Sequence, residues 1–550
     1  MTVSRGKYSG LGALFLIFQF GVALHLSAAG PYTWGNVAIG AGGFVAGIEP
    51  SPALSGLIYA RTDVGGAYRW SDTTQTWTPL TDMFAASQGN YLGIESLAPD
   101  PVNANVVYAA VGMYESNGSG VILSSADQGA SWTVNTFPSS VPMGGNDMGR
   151  GMGERLVVDP NLTSTLYFGS RESGLWKSTN SAATWAQINN FPTNGGTFTY
   201  SYTAPVGLPV VVVDNQGALA GKASSIVFVA AASTAAGSNL YETVNSGTNW
   251  AEVAGGPTGL MVHHAGLGSD GNLWLAYSSD VGPWNFSGAT EVGQIWKLNV
   301  ATLTWTNVTP PTANWGGMAG GLSVDASNPK HVAVSTLDWY TPDRILATTD
   351  GGTTWTVIGQ PPVSYWQGTS TYNVNGVEYW YDTQAGAGPT TFIGTGPTNW
   401  VEAVAIDPFN ANRVLHGCGA GTWASSNTQA ATGNGAGATW NFYNVGLEET
   451  VPLYMMPSVN GAFLGVVGDL GGMRNSSLTS YSVTGEYANP ANNNNNWIDF
   501  AETNTNFVVR VGNSGAVASD VSYSQDNGQT WTPCTAALPG YATANEMGSV

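Results

Sequence analysis

A short turn pattern, repeated along the chain, constrains the fold more than any other feature. It reads small polar residue, Asp or Asn, Gly, Ser or Thr, then Trp. The clearest copies are Ser125-Ala-Asp-Gln-Gly-Ala-Ser-Trp132, Thr348-Thr-Asp-Gly-Gly-Thr-Thr-Trp355 and Ser524-Gln-Asp-Asn-Gly-Gln-Thr-Trp531. Weaker copies end at Trp77, Trp185, Trp250, Trp305 and Trp440. Each is a hairpin clamp: Asp accepts hydrogen bonds from turn amides, Gly supplies positive φ, and Trp packs under neighbouring strands. Such residues build structure and carry no chemistry.

From Trp77 to Trp355 the successive tryptophans lie 55, 53, 65, 55 and 50 residues apart. That is the length of one four-stranded propeller blade with its loops. A second signature precedes the boxes, an apolar strand, a Pro-containing turn and another apolar strand. Arg155-Leu-Val-Val-Asp-Pro-Asn-Leu-Thr-Ser-Thr-Leu-Tyr167 and Ala403-Val-Ala-Ile-Asp-Pro-Phe-Asn-Ala-Asn-Arg-Val-Leu415 are two copies. Two signatures in register predict an all-β chain of tandem β-propellers with Asp-box repeats. Residues 30–395 have room for a first, seven-bladed ring. Residues 396–550 hold only two or three blades of a second, incomplete ring. Propellers protect strand edges by closing, so a ring stopped at Val550 is expected to be part of a longer protein.

Composition narrows the partners. The net charge is −20 and the pI about 4.4. Such a surface repels phosphate backbones and anionic lipid, which argues against nucleic-acid and membrane-surface roles but not against a neutral polysaccharide. The two cysteines, Cys418 and Cys534, could pair, but no disulfide framework is needed. Beyond His25, the histidines are His263, His264, His331 and His416, with no HExxH or CxxC motif. No metal or cofactor site is predicted. Arg5 and Lys7, an apolar run from Leu11 to Leu26 and Ser27-Ala-Ala29 read as a secretory leader over residues 1–29. Export follows as the expectation, with sequons at Asn117, Asn161, Asn285, Asn307 and Asn475 compatible with glycosylation.

Two segments from opposite ends of the chain look alike. Leu57-Ile-Tyr-Ala-Arg-Thr-Asp63-Val-Gly-Gly66 and Phe463-Leu-Gly-Val-Val-Gly-Asp469-Leu-Gly-Gly472 each run an apolar strand into Asp, Val or Leu, and Gly-Gly. Two carboxylates at matching strand ends, facing each other across an interdomain cleft, are what glycosidic hydrolysis needs. The plainer alternative is that each Asp caps its turn.

Longer stretches carry a resemblance. They are Tyr59–Trp70, Gly144-Gly-Asn-Asp-Met-Gly-Arg150 with Gly153-Glu-Arg155, and Ser335-Thr-Leu-Asp-Trp-Tyr340. Further on come Trp400–Phe409, Gly446-Leu-Glu-Glu-Thr450 and Val467–Gly472. From about residue 31 onward the chain resembles the xyloglucan-specific endo-β-1,4-glucanases of glycoside hydrolase family 74. The resemblance implies two seven-bladed propellers with a substrate cleft between them. It implies inversion at the anomeric centre and catalytic aspartates at Asp63 and Asp469. Local residues suggest the roles. Arg61 and Asp63 share a strand face, and a guanidinium favours an ionised Asp63 able to activate water as general base. Asp469 follows an apolar strand, where desolvation suits a general acid.

Eight tryptophans close boxes; others could stack on sugar rings. Trp315 in a Gly-rich loop, and Trp339-Tyr340 at a strand end, match family positions for aromatic subsites, with blade packing as the alternative. Arg61 is a further candidate for substrate contact, and Trp366, Trp380 and Trp400 are weaker ones. The expected protein is a secreted monomer that cleaves xyloglucan or a related plant cell-wall β-glucan. The competing reading is a non-catalytic carbohydrate-binding propeller. A sialidase is disfavoured, because Arg is scarce and no Arg-Ile-Pro motif is present.

Overall fold

A computed structural model describes residues 36–534 with internal exceptions, the longest being 284–290, 338–342, 360–371, 380–390, 394–399, 432–436, 480–486 and 514–520; residues 469 and 470 are also excepted. Among the described residues, consecutive stretches of chain fold into antiparallel sheets. Sheets 1 to 6 span residues 45–79, 94–135, 156–187, 210–252, 261–307 and 318–359, each with four strands in chain order. Sheet 7 comprises the strands between Ala403 and Phe442, with Thr391–Ile393 added beside its last strand.

The first strands of these seven sheets pack on one another in sequence, and Ala403–Asp407 packs against both Met318–Val324 and Val45–Pro50. The ring is therefore closed. Strands buried on both faces explain why the sequence shows continuous apolar runs such as the Leu57-Ile-Tyr-Ala60 that opens the strand Leu57–Thr62. A separate apolar cluster fills each junction between neighbouring sheets. The one between sheets 7 and 1 joins Ala405, Leu415 and Ala424 to Val45, Ile58, Tyr68 and Trp77. Each large side chain so buried contributes about 1.5–3 kcal/mol. Along the axis the first strands surround a channel of about 460 Å³, lined among others by Ile48, Leu97, Val212, Ala265 and Ala405.

The repeated turns are clamped as their sequence demands. Asp127 Oδ1 accepts from the Ser131 amide at 2.8 Å, and Ser125 Oγ accepts from the Gly129 amide at 2.8 Å. Asp350 and Asp526 repeat the pattern with Thr354 and Thr530. The closing tryptophans also bond across sheets. Trp132 Nε1 donates to the Leu80 carbonyl, Trp355 to Val308, Trp440 to Ile358, and Trp77 to Tyr443. The last of these, with Trp77 N donating to the Val445 carbonyl at 2.7 Å, clasps the end of sheet 7 to sheet 1.

The boundary expected at 395/396 is displaced. Residues 403–442, assigned from their period to a second ring, form the sheet that closes the first. Period counting failed because the chain between Trp355 and Trp440 carries a long insertion, which made the seventh blade look like a new series. After it come sheet 8 (Pro452–Val459, Ala462–Val467, Gly471–Asn475) and sheet 9, whose strands lie between Asn494 and Pro533. The N-terminal segment lies along the edge of sheet 8. Ala38 N donates to the Leu478 carbonyl at 3.0 Å, and Asn475 Nδ2 donates to the Ala38 carbonyl at 2.6 Å. Ile39 packs there on Val467 and Met473. Asn475 is fully buried, so this sequon has no room for a glycan in the folded chain. Asn117 and Asn307 are exposed.

Candidate active site

Asp63 stands just past the strand Leu57–Thr62, at one end of sheet 1. The turn that follows is closed by its neighbour. Thr62 Oγ1 donates to the Gly66 carbonyl at 3.0 Å and accepts from the Gly65 amide at 2.9 Å. The alternative that Asp63 merely caps this turn therefore fails, because Thr62 already does so. The Asp63 carboxylate is left to groups remote in sequence. Arg150 Nε donates to its Oδ2 at 3.0 Å, and the Glu449 carboxyl lies beside it. Asp63 is 7% exposed.

Arg150 is delivered by the loop Gly144–Arg150, which is itself tightly anchored. Arg171 Nη2 donates to the Gly144 carbonyl at 2.6 Å and its Nη1 to the Met148 carbonyl at 2.9 Å. Glu95 holds both Arg155, at 2.6 Å, and Arg171, at 2.9 Å. These two guanidiniums pull the buried Glu95 carboxyl down to about 2. The Arg150 guanidinium lies 5.1 Å from the centre of the Phe44 ring, whose edge meets Trp400 at 5.7 Å.

Arg61 has a different place from the one expected. It is fully buried, with Nε donating to Glu154 at 2.8 Å and Nη1 to the Arg150 carbonyl at 2.7 Å. It neither pairs with Asp63 nor reaches solvent, so it fixes the backbone of the arginine that does pair. Strand alternation was the wrong guide, since Asp63 lies beyond the strand where the alternation ends.

Glu449 comes from the segment that leaves sheet 7. That segment is pinned to sheet 1 at Val445 and through Tyr68, whose hydroxyl donates to the Glu448 carbonyl at 3.1 Å. Glu448 turns its carboxylate to the Ile39 amide at 3.0 Å. Glu449 turns inward, where Cβ atoms added at Gly43 and Gly65 would fall 1.1 Å and 2.2 Å from its side-chain atoms. Only glycines allow so close an approach. Burial pushes the Glu449 carboxyl well up, and the Asp63 charge and hydrogen bond push it further. Glu402 is also fully buried near Arg150, with Gly151 and Gly282 against its carboxyl, and burial pushes it up to about 8.

Asp469 lies outside the described residues, but its flank does not. Gly468 N donates to the Val451 carbonyl at 2.9 Å, two residues beyond Glu449. One short segment thus touches Asp63 with one residue and the start of the Asp469 turn with another. Trp339 and Tyr340 are outside the described residues as well, as are Trp366 and Trp380. Trp315 is a correction. It is 7% exposed, packs among Trp274, Ala319 and Leu346, and donates from Nε1 to the Gly293 carbonyl at 2.8 Å. A sugar platform needs an open ring face, and this indole lies between blades. The Gly-rich loop around it misled the reading. The axial channel, although spacious, does not include Asp63 in its lining.

No family model matches the chain. A xyloglucanase from Paenibacillus sp is 37% identical over 541 residues, covering 93% of this chain and 50% of its own length. An oligoxyloglucan-reducing end-specific xyloglucanase from Emericella nidulans is 30% identical, with 94% of this chain and 67% of its own covered. The solved structure of the GH74 xyloglucanase from Xanthomonas campestris superposes with a TM-score of 0.80 at 34% identity, over 94% of this chain and 71% of that one. The chain belongs to glycoside hydrolase family 74. It spans half the length of the Paenibacillus relative. Membership gives the quoted stretches a physical meaning within this one chain. Tyr59–Trp70 carries Asp63, Gly144–Arg150 carries its arginine, and Gly446–Thr450 carries its second carboxyl. The roles of Arg150, Glu449 and Glu402 went unread because nothing in their local sequence marks them; only the quoted stretches held them.

Proposed function

We propose that this family 74 chain cleaves the β-1,4-glucan backbone of xyloglucan with inversion, in a cleft between the ring and the sheets that follow it. The single observation that carries the reading is the Asp63 carboxylate, released from its own turn by Thr62 and held by Arg150 at 3.0 Å at the end of a strand. An ionised carboxylate so fixed suits the general base that draws a proton from the attacking water. Asp469 is the general acid that protonates the leaving oxygen. The names of the relatives support xyloglucan as substrate. Inverting chemistry calls for carboxyl groups about 6.5–9.5 Å apart, which leaves room for the water. The leader at residues 1–29 suits release outside the cell, and the protein acts as a monomer.

The test is release of reducing ends from xyloglucan by the chain and by Asp469→Ala, with the anomer of the first product followed by proton NMR. The expected result is an α-configured product, and Asp469→Ala slower by about 10²–10⁴-fold. Turnover no greater than that of Asp469→Ala would instead leave a carbohydrate-binding propeller. A β-configured first product would remove the inverting mechanism.

A further inference from the structure

We propose that Glu449 is a positioning residue for Asp63, sharing one proton with its carboxylate and fixing the direction in which that carboxylate faces the attacking water. The inference rests on the reading of Asp63 as general base. Its basis is geometric. The Glu449 side chain packs on the turn that Asp63 opens, with its Cγ 2.2 Å from where a Cβ at Gly65 would fall, and its carboxyl faces the Asp63 carboxylate; carboxyl groups so placed favour one shared proton, since two ionised carboxylates only accept and repel. Of the two, Asp63 holds the guanidinium of Arg150, at 3.0 Å. Glu449 sits deeper, 4% exposed and enclosed by the backbone at Gly43 and Gly65, so the proton is favoured on Glu449.

The groups facing Glu449 are Asp63 at the end of sheet 1, Arg150 from the Gly144–Arg150 loop, the Phe44 amide and Tyr68 from the third strand of sheet 1. Arg150 and the Phe44 amide favour its ionised form; burial and Asp63 oppose it more strongly. Asp63 is thus gripped from two sides, by a cation on Oδ2 and by a neutral acid. A carboxylate held in this way loses the rotation that would carry it off the line of attack.

The segment carrying Glu449 also bonds Gly468 through Val451. Glu449 therefore ties the base to the part of the chain that leads into the proposed acid.

The experiment compares Glu449→Gln, which keeps a donor, with Glu449→Leu, which keeps the bulk and loses it. Glu449→Gln should hold kcat within about threefold of wild type, and Glu449→Leu should lose about 10- to 100-fold in kcat with KM little changed. The acid limb of kcat/KM should move to higher pH in the Leu variant alone, because an ionised Asp63 has lost a donor. Equal losses in both variants, or a Leu variant with wild-type kcat and acid limb, would overturn the proposal.

Two carboxyl-carbon NMR titrations need no activity, and so separate this idea from the proposed function. In 13C-Asp-labelled chain, the Asp63 resonance should titrate at higher pH in Glu449→Leu than in Glu449→Gln. In 13C-Glu-labelled Asp63→Asn, which covers a Leu variant that fails to fold, the Glu449 midpoint should fall below that of wild type. No movement in either titration sinks the shared proton, whether or not xyloglucan is cleaved.

Discussion

Asp63 and Asp127 occupy similar settings and make different contacts. Both follow a strand, and both open a turn rich in glycine. Asp127 uses both oxygens locally, with Oδ1 on the Ser131 amide and Oδ2 on the Ser131 hydroxyl at 2.6 Å. These hydrogen bonds hold its carboxyl down to about 2. Asp63 gives its turn nothing, because the Thr62 hydroxyl closes it, and its oxygens go to groups far along the chain. The difference teaches how to tell a scaffolding aspartate from a chemical one. The question is whether the turn would survive the loss of the carboxyl.

That contrast can be broken most sharply by paired substitution. Asp63→Ala is expected to cut xyloglucan turnover by about 10²–10⁴-fold while the melting temperature holds. Asp127→Ala should do the reverse, lowering the melting temperature and leaving turnover alone. An inactive Asp127→Ala with native circular dichroism would erase the distinction.

Arg150→Met probes how far the distinction depends on the remote partner. It should cost about 10- to 100-fold in kcat/KM and move the acid limb to higher pH, since the ionised Asp63 loses its cation. The box turns do not touch Arg150, so unfolding of the ring should stay cooperative. A variant with an unmoved acid limb would assign Asp63 some other source of stabilisation.

The smallest effect concerns Glu402, which shares Arg150 with Asp63. Its carboxyl is raised from 4.5 to about 8 in the fold, chiefly by burial. The folded chain therefore holds this proton more tightly than the unfolded chain does. The corresponding stability is complete below about 4.5 and is lost as pH rises through about 8. Glu402→Gln should remove that decline, a change on the order of a few kcal/mol between pH 5 and pH 9, read from urea midpoints. An equal slope in both proteins would show that Glu402 is ionised in the fold and draws on the Arg150 charge.

Much of the scaffold was legible along the chain. The box turns could be read residue by residue because their hydrogen bonds link positions two to four apart. The blade repeat was also visible, but its boundary was not, since residues 30–395 hold six sheets of the ring and the next lies at 403–442. The insertion before Trp400 stretched one period, and only packing of Ala403–Asp407 on Val45–Pro50 shows which ring that sheet completes. Trp315 was misplaced for a related reason, as a glycine-rich loop does not reveal what lies on either side of it.

The sequence alone determined the repeating clamp, the all-β blade and the choice of Asp63 as a carboxylate of interest, because these depend on neighbours a few residues away. Tertiary structure decided what Asp63 touches. Arg150 lies 87 residues from it, and Glu449 is brought back only after the ring has closed. Arg61, two residues away and expected on the face of Asp63, turned out to hold the Arg150 carbonyl instead. Local pattern fixes which way a strand residue points; ring closure fixes what stands there to meet it.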